Sequence, residues 1–250
     1  MNPVFIANKR VPSWPLRIEP IADGTVDVWC VSLNTMERRL EYFSSMLNPE
    51  EITRAKAFKF ERHRRRFCIA RGMLRVLLSE YLGCAPQRIR LVQGAEGKPA
   101  LAIRTPHPLH FNVSHSADLV AYSFCREAPV GTDVEYLDRT LQRDLVVNRA
   151  FSQSELGRYY ATPVSERLQI FYRLWARKEA RLKARGLRMA HITEHALEQI
   201  PVMDFTFGSR YVGAVAVAVY EPPAPEPLQT RAVHRSQASL RSLRKQGAAA

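Results

Sequence analysis

Cysteine is scarce in this chain, with four in 250 residues, at positions 30, 68, 84 and 125. None stands in a Cys-x-x-Cys pair or at a metal-ligand spacing, so neither a disulfide framework nor a thiolate zinc site is indicated, and a reducing cytoplasm is the natural setting. Long apolar runs are missing too. No segment approaches the ~18 uninterrupted apolar residues that a spanning helix needs. The opening Met-Asn-Pro-Val-Phe-Ile-Ala-Asn-Lys-Arg lacks a basic stretch leading into an apolar core, so it does not read as a signal peptide. Acids are in deficit, 24 Asp and Glu against 37 Lys and Arg, and the formal charge of +13 calls for an anionic partner or ligand. No recognised nucleic-acid motif and no interleaved stacking aromatics accompany that charge.

What is present is an ordinary globular composition, 46% hydrophobic, in a chain long enough for one large domain or two modest ones. Residues 221–250 are the exception. They are rich in Pro, Ala, Ser, Gln and Arg with little to build a core, and read as a disordered basic tail carrying +3 of the +13. The rest keeps about +10, so the tail does not explain the basicity.

Val26–Leu33 reads as a strand, rich in β-branched and aromatic residues. Asn48-Pro49-Glu50-Glu51 has the form of a helix start, with a cap, a proline at the first helical position and acids in the first turn. Phe67, Ala70, Leu74, Leu77, Leu78 and Tyr81 recur at three and four, which predicts a helix over 64–82 that Gly83 stops. Strands are expected at Leu109–Val113 and Leu119–Cys125 with Ser114–Asp118 as the turn between them, and another at Val130–Glu135. A helical stretch over 141–186, interrupted near Thr162-Pro163, and strands at 204–207 and 212–220 complete the reading. Phe67–Arg75 and Phe171–Arg181 both place Ala-Arg and then Arg four later, and each is followed by a short aromatic strand, a polar turn and an apolar strand.

Two motifs carry chemistry. In Val130-Gly131-Thr132-Asp133-Val134-Glu135 the acids lie two apart in a β-type run, so both carboxylates leave one face of a strand. In Trp175-Ala176-Arg177-Lys178-Glu179-Ala180-Arg181-Leu182-Lys183, Glu179 and Lys183 are four apart on a helix and stack on one face. Three carboxylates and a nearby cation suit Mg²⁺ holding a phosphate, because Mg²⁺ is usually bound through few carboxylates plus phosphate oxygens and water.

In order and spacing, Gly131-x-Asp133-x-Glu135 and Trp175-x-x-Lys178-Glu179-x-x-x-Lys183 resemble the signature of the phosphopantetheinyl transferases, in particular the larger, monomeric surfactin-synthetase-activating type. Gly97-Lys98-Pro99 and Phe111-Asn112-Val113-Ser114-His115-Ser116 resemble the same family, and the likeness spans about residues 25–220. It implies an α+β pseudo-dimer of two similar halves with the active site in the cleft between them. Residues 1–128 would bind coenzyme A and contact the carrier, 129–220 would carry the metal and catalytic motifs, and 221–250 would be the tail. The implied reaction is Mg²⁺-dependent transfer of 4′-phosphopantetheine from coenzyme A to a serine of an acidic apo acyl or peptidyl carrier protein, by a cytoplasmic monomer using neither nucleic acid nor membrane.

The resemblance assigns Asp133, Glu135 and Glu179 to the metal, Glu179 also to the proton of the incoming serine, and Lys183 to the bridging or departing phosphate. Taken alone, Asp133 and Glu135 fit the wet face of an edge strand, and Lys183 an ordinary i,i+4 partner worth ~0.3–0.5 kcal/mol. Ser114, His115 and Lys98 are implied as nucleotide contacts, although a lone histidine there also fits a polar loop. Lys178 fits a solvated charge and a phosphate contact equally, and Trp175 fits the apolar stripe of Leu168, Phe171 and Leu182. Arg66, at the end of the Arg62-His63-Arg64-Arg65-Arg66 run, falls where the family grips the 3′-phosphate of coenzyme A. The family also often has lysines in the preceding helix, and here those positions hold Glu51 and Arg54. The rival reading is a basic metal-dependent nucleic-acid-binding protein or nuclease, with the same three acids as its metal site.

Overall fold

Alternation along the strands dictates the layering. In β2 (Thr25–Ser32) Val26, Val28 and Cys30 point one way and Trp29 and Val31 the other. In β6 (Leu119–Cys125) Leu119, Ala121 and Cys125 oppose Val120, Tyr122 and Phe124, and both sets are buried. Strands with two apolar faces must be covered on both sides. The computed structural model, which describes residues 4–10, 16, 18–94, 98–102, 108–141, 143–187 and 197–218, shows what covers them. A four-stranded sheet in the order β1 (Val4–Arg10), β2, β6, β5 (His110–Ser116) is antiparallel except for the parallel β1–β2 pair. One face packs on α4 (Glu61–Leu82). The other packs on a three-stranded antiparallel sheet of β7 (Val130–Tyr136), β9 (Tyr211–Val217) and β8 (Val202–Phe207), in that order. The outer face of this second sheet takes α7 (Arg167–Arg185). The described residues of this mixed α/β fold therefore stack as helix, sheet, sheet, helix, and they fall in one compact unit, 1–219.

The two long helices are held for different reasons. On α4, Ile69, Met73, Leu77 and Leu78 are fully buried, each contributing ~1.5–3 kcal/mol of apolar burial, and the helix ends at Gly83, whose φ of 63° only glycine adopts freely. On α7 the buried face is Ala176, Ala180 and Ala184 against Ala214 and Ala216 of β9, so backbones approach closely. Closest is Gly131 of β7, where a Cβ would stand 2.1 Å from the Ala180 carbonyl oxygen and 2.3 Å from the Ala184 nitrogen. The motif glycine is thus the seat of the helix.

Smaller elements among the described residues include α1 (Leu33–Met36), α2 (Leu40–Ser45), α3 (Pro49–Lys56), the antiparallel pair β3 (Leu91–Gln93) and β4 (Pro99–Leu101), α5 (Asp144–Ala150) and α6 (Gln153–Ala161). Asn48 caps α3 as expected and forms a capping box with Glu51. Glu51 also carries the fully buried Arg75 of α4 at 2.6 Å, while Arg75 Nη1 donates to the Pro86 and Ile89 carbonyls. The interruption near Thr162-Pro163 is real, α6 ending at Ala161. One expectation is corrected: Ser114, His115 and Ser116 belong to β5, and only Ala117 and Asp118 turn the chain, Ala117 with φ 50°. Residues 221–250, read as a disordered tail, lie outside the described residues, where no helix is long and apolar enough to cross a membrane.

Candidate active site

The two sheets also meet edge to edge, β5 beside β7, and the join is made by side chains. Asn112, Ser114 and Ser116 alternate along β5 and accept from the β7 amides of Thr132 (2.8 Å), Val134 (3.4 Å) and Tyr136 (3.0 Å). The serine hydroxyls donate in turn to carboxylates of the same strand, Ser114 to Asp133 Oδ1 and Ser116 to Glu135 Oε2, each at 2.9 Å. An edge that would otherwise expose unpaired N–H groups is thereby closed. From α7, Lys183 Nζ reaches Asp133 Oδ1 at 2.6 Å and Ser114 Oγ at 3.2 Å.

The electrostatics follow from crowding acids in a half-buried place. Glu135 is pushed up to about 7, first by burial and then by the charge of Asp133. Asp133 and Glu179 are raised as well, chiefly by burial, against the opposing pull of Lys183 on both. Glu179 feels Lys183 and Asp133, so the three acids form one electrostatic cluster. Partial burial, then Lys183 and Arg66, hold His115 below the usual imidazole range.

The other expected residues are placed unequally. Arg66 Nη1 donates to the Ala117 carbonyl at 3.0 Å, which brings its guanidinium to the β5–β6 turn beside His115. Lys98 Nζ donates to the carbonyls of Val130 (3.1 Å) and Lys183 (2.9 Å), joining the start of β7 to the last turn of α7, and burial beside Lys183 lowers it to about 8. Gly97 lies outside the described residues. Lys178 is not a solvated charge: its residue is 6% exposed, and Nζ donates to the Ala150 carbonyl and to Glu155 Oε2, so it is not brought to the acids. Trp175 stacks on Phe171 as the apolar stripe predicts. Ser116, quoted in the sequence without a role, proves to be a direct partner of Glu135; its signal was the match between alternate polar residues at 112, 114, 116 and the acids at 133, 135.

The donor set fits a hard cation in one respect that the fold shows directly. Asp133 Oδ2 is buried and has no hydrogen-bond partner, an oxygen costly to leave so unless a ligand answers it. As they stand, no three His, Cys, Asp or Glu side chains among the described residues are gathered closely enough to hold a metal ion. Asp133 and Glu135 are nonetheless neighbours on one strand face, with Glu179 coupled to both across the β7–α7 contact.

Two family models match the chain: one described as 4′-phosphopantetheinyl transferase, N-terminal, over residues 32–125, and one described as the 4′-phosphopantetheinyl transferase superfamily, over residues 129–238. The 4′-phosphopantetheinyl transferase HetI of Nostoc sp. is 34% identical over 177 residues, 70% of this chain and 75% of that protein. The 4′-phosphopantetheinyl transferase AcpT of Escherichia coli O157:H7 is 38% identical over 112 residues, 45% of this chain and 55% of that one. Among solved structures, a holo-(acyl-carrier-protein) synthase of Bacillus anthracis in complex with CoA (3′,5′-ADP) matches at 24% identity and a TM-score of 0.32, over 40% of this chain and 91% of that chain.

Proposed function

The chain belongs to the 4′-phosphopantetheinyl transferases, and from that membership we infer that it moves 4′-phosphopantetheine from coenzyme A to a serine of an apo carrier protein, leaving adenosine 3′,5′-bisphosphate. One observation supports this reading most: Asp133, Ser114 and Lys183, from three separate parts of the chain, meet within 3.2 Å beside a buried carboxylate oxygen that has no partner. In the reaction the serine oxygen bonds to the phosphorus nearest pantetheine, and the bond from that phosphorus to the bridging oxygen breaks. Glu179, lifted above the ordinary carboxylate range, takes the serine proton directly or through one water, and the ammonium of Lys183 meets the charge on the departing oxygen. Arg66 grips the 3′-phosphate, and Ser114, His115 and Lys98 line the nucleotide; Lys178, held by the Ala150 carbonyl and Glu155, takes no part in this reading. No covalent enzyme intermediate is needed, since positioning and charge neutralisation suffice.

Asp133, Glu135 and Glu179 would hold Mg²⁺, which when bound neutralises the pyrophosphate as phosphorus is attacked. We read the enzyme as the surfactin-synthetase-activating type, a cytoplasmic monomer whose two sheet-and-helix halves, 1–128 and 129–220, form a pseudo-dimer around the site, with an acidic carrier as partner. Incubation with coenzyme A, Mg²⁺ and a panel of apo carrier proteins, read by mass spectrometry, tests it. A phosphopantetheine increment on the carrier serine is expected, and an unmodified panel alongside an active control enzyme would refute the reading.

A further inference from the structure

The reaction as read above gives the hydroxyl of Ser116 no role. It donates to Glu135 Oε2 at 2.9 Å and accepts from the Tyr136 amide at 3.0 Å. Both of its hydrogen bonds thus end on β7, one on the carboxylate and one on the backbone immediately after it. A carboxylate on a half-exposed strand face has free torsions, and one oxygen pinned to a strand-anchored hydroxyl removes them. The neighbouring pair repeats the device, Ser114 Oγ donating to Asp133 Oδ1 at 2.9 Å and accepting from Val134 N at 3.4 Å. There the result is visible: the pinned Oδ1 is used up, and Oδ2 is left buried and without a partner. Lys183 also touches the Ser114 pair, whereas among the described residues the side-chain hydrogen bonds of Ser116 run to Glu135 and the Tyr136 amide of β7.

We propose that Ser116 is a positioning residue that presents Glu135 to the cation, so that cation affinity depends on the docking of β5 against β7. The proposal rests on the metal reading above. It gives the serine–carboxylate register 114:133 and 116:135 a purpose beyond closing a sheet edge, because an edge amide needs only an acceptor and either hydroxyl would serve without turning its proton to an acid.

The test is titration calorimetry of coenzyme A against the full chain, with and without Mg²⁺, on the wild type, Ser116→Ala and Ser116→Thr. Mg²⁺ is expected to tighten coenzyme A binding in the wild type. In Ser116→Ala that enhancement should fall by about 10- to 100-fold, the usual effect of removing a group that orients a metal ligand, with metal-free affinity within about twofold of wild type. Ser116→Thr, which keeps the hydroxyl, should restore the enhancement. If Ser116→Ala does not fold, Ser116→Cys, of similar volume but a poor donor, takes its place with the same expectation. A wild-type protein indifferent to Mg²⁺ would overturn the metal reading and this proposal together. A responsive wild type with an equally responsive Ser116→Ala would overturn this proposal alone.

Discussion

At the scale of single residues, the acids of the site are destabilising where they stand. The carboxyl of Glu135 ionises near pH 4.5 when unfolded and only at about 7 when folded, so the folded state binds more protons between those values and loses stability as pH rises through them. Through this group the metal-free protein should be less stable at pH 8 than at pH 5.5, and Glu135→Gln should raise melting at pH 8 more than at pH 5.5. Scanning calorimetry at both pH values in chelator checks this; an unchanged melting temperature in the variant would show that the acid is not strained. Asp133→Ala, Glu135→Ala and Glu179→Ala should each cut transfer about a hundredfold or more in a folded protein, as measured by carrier loading. Arg66→Ala should weaken coenzyme A binding by about tenfold or more, the value of a charge-assisted hydrogen bond, and 3′-dephospho-coenzyme A hardly at all. Equal losses for both ligands would place Arg66 elsewhere. That Asp133 and Glu135 share a strand face was legible in the sequence because their spacing of two matches the strand period, while their assignment to a metal came from the family resemblance. The place of Lys178 was not legible, because its partners Ala150 and Glu155 lie more than twenty residues away and no local pattern announces them.

At the scale of elements, local signals were readable and distant ones were not. Asn48 and Gly83 mark the ends of their helices because capping is settled within one turn. The polar run Ser114-His115-Ser116 was read as a turn for the reason that misleads there: its hydroxyls find partners nearly twenty residues on, in β7, so polarity meant an edge and not a reversal. The β1 pairing and the short helices between β2 and α3 left no strong periodic trace. The contact of β7 with α7 makes a sharper prediction. In Gly131→Ala the new methyl would meet helix backbone at 2.1 Å, which no side-chain rotation relieves, so the change should cost about 3 kcal/mol or more, at or above the upper end for overpacking. Urea unfolding measures it, and a loss under about 1 kcal/mol would mean that the helix lifts freely off the strand.

At the scale of the whole molecule, the charge outside the last thirty residues, about +10, points to long-range attraction of an anionic partner. Raising salt from low to high ionic strength should lower kcat/KM for an acidic carrier chiefly through KM and leave kcat nearly unchanged; an unresponsive KM would divorce the charge from encounter. The layering ties this surface to the chemistry through few soft joints, since Gly131 seats α7 backbone directly on β7 backbone. Distances among Asp133, Glu179 and Lys183 are consequently set by main chain against main chain. Interchange of Val, Leu and Ile in the outlying cores can then drift through many generations of sequence without altering the spacing of the acids. The spacing of the acids thus hangs on the Gly131 seat more than on side-chain bulk elsewhere.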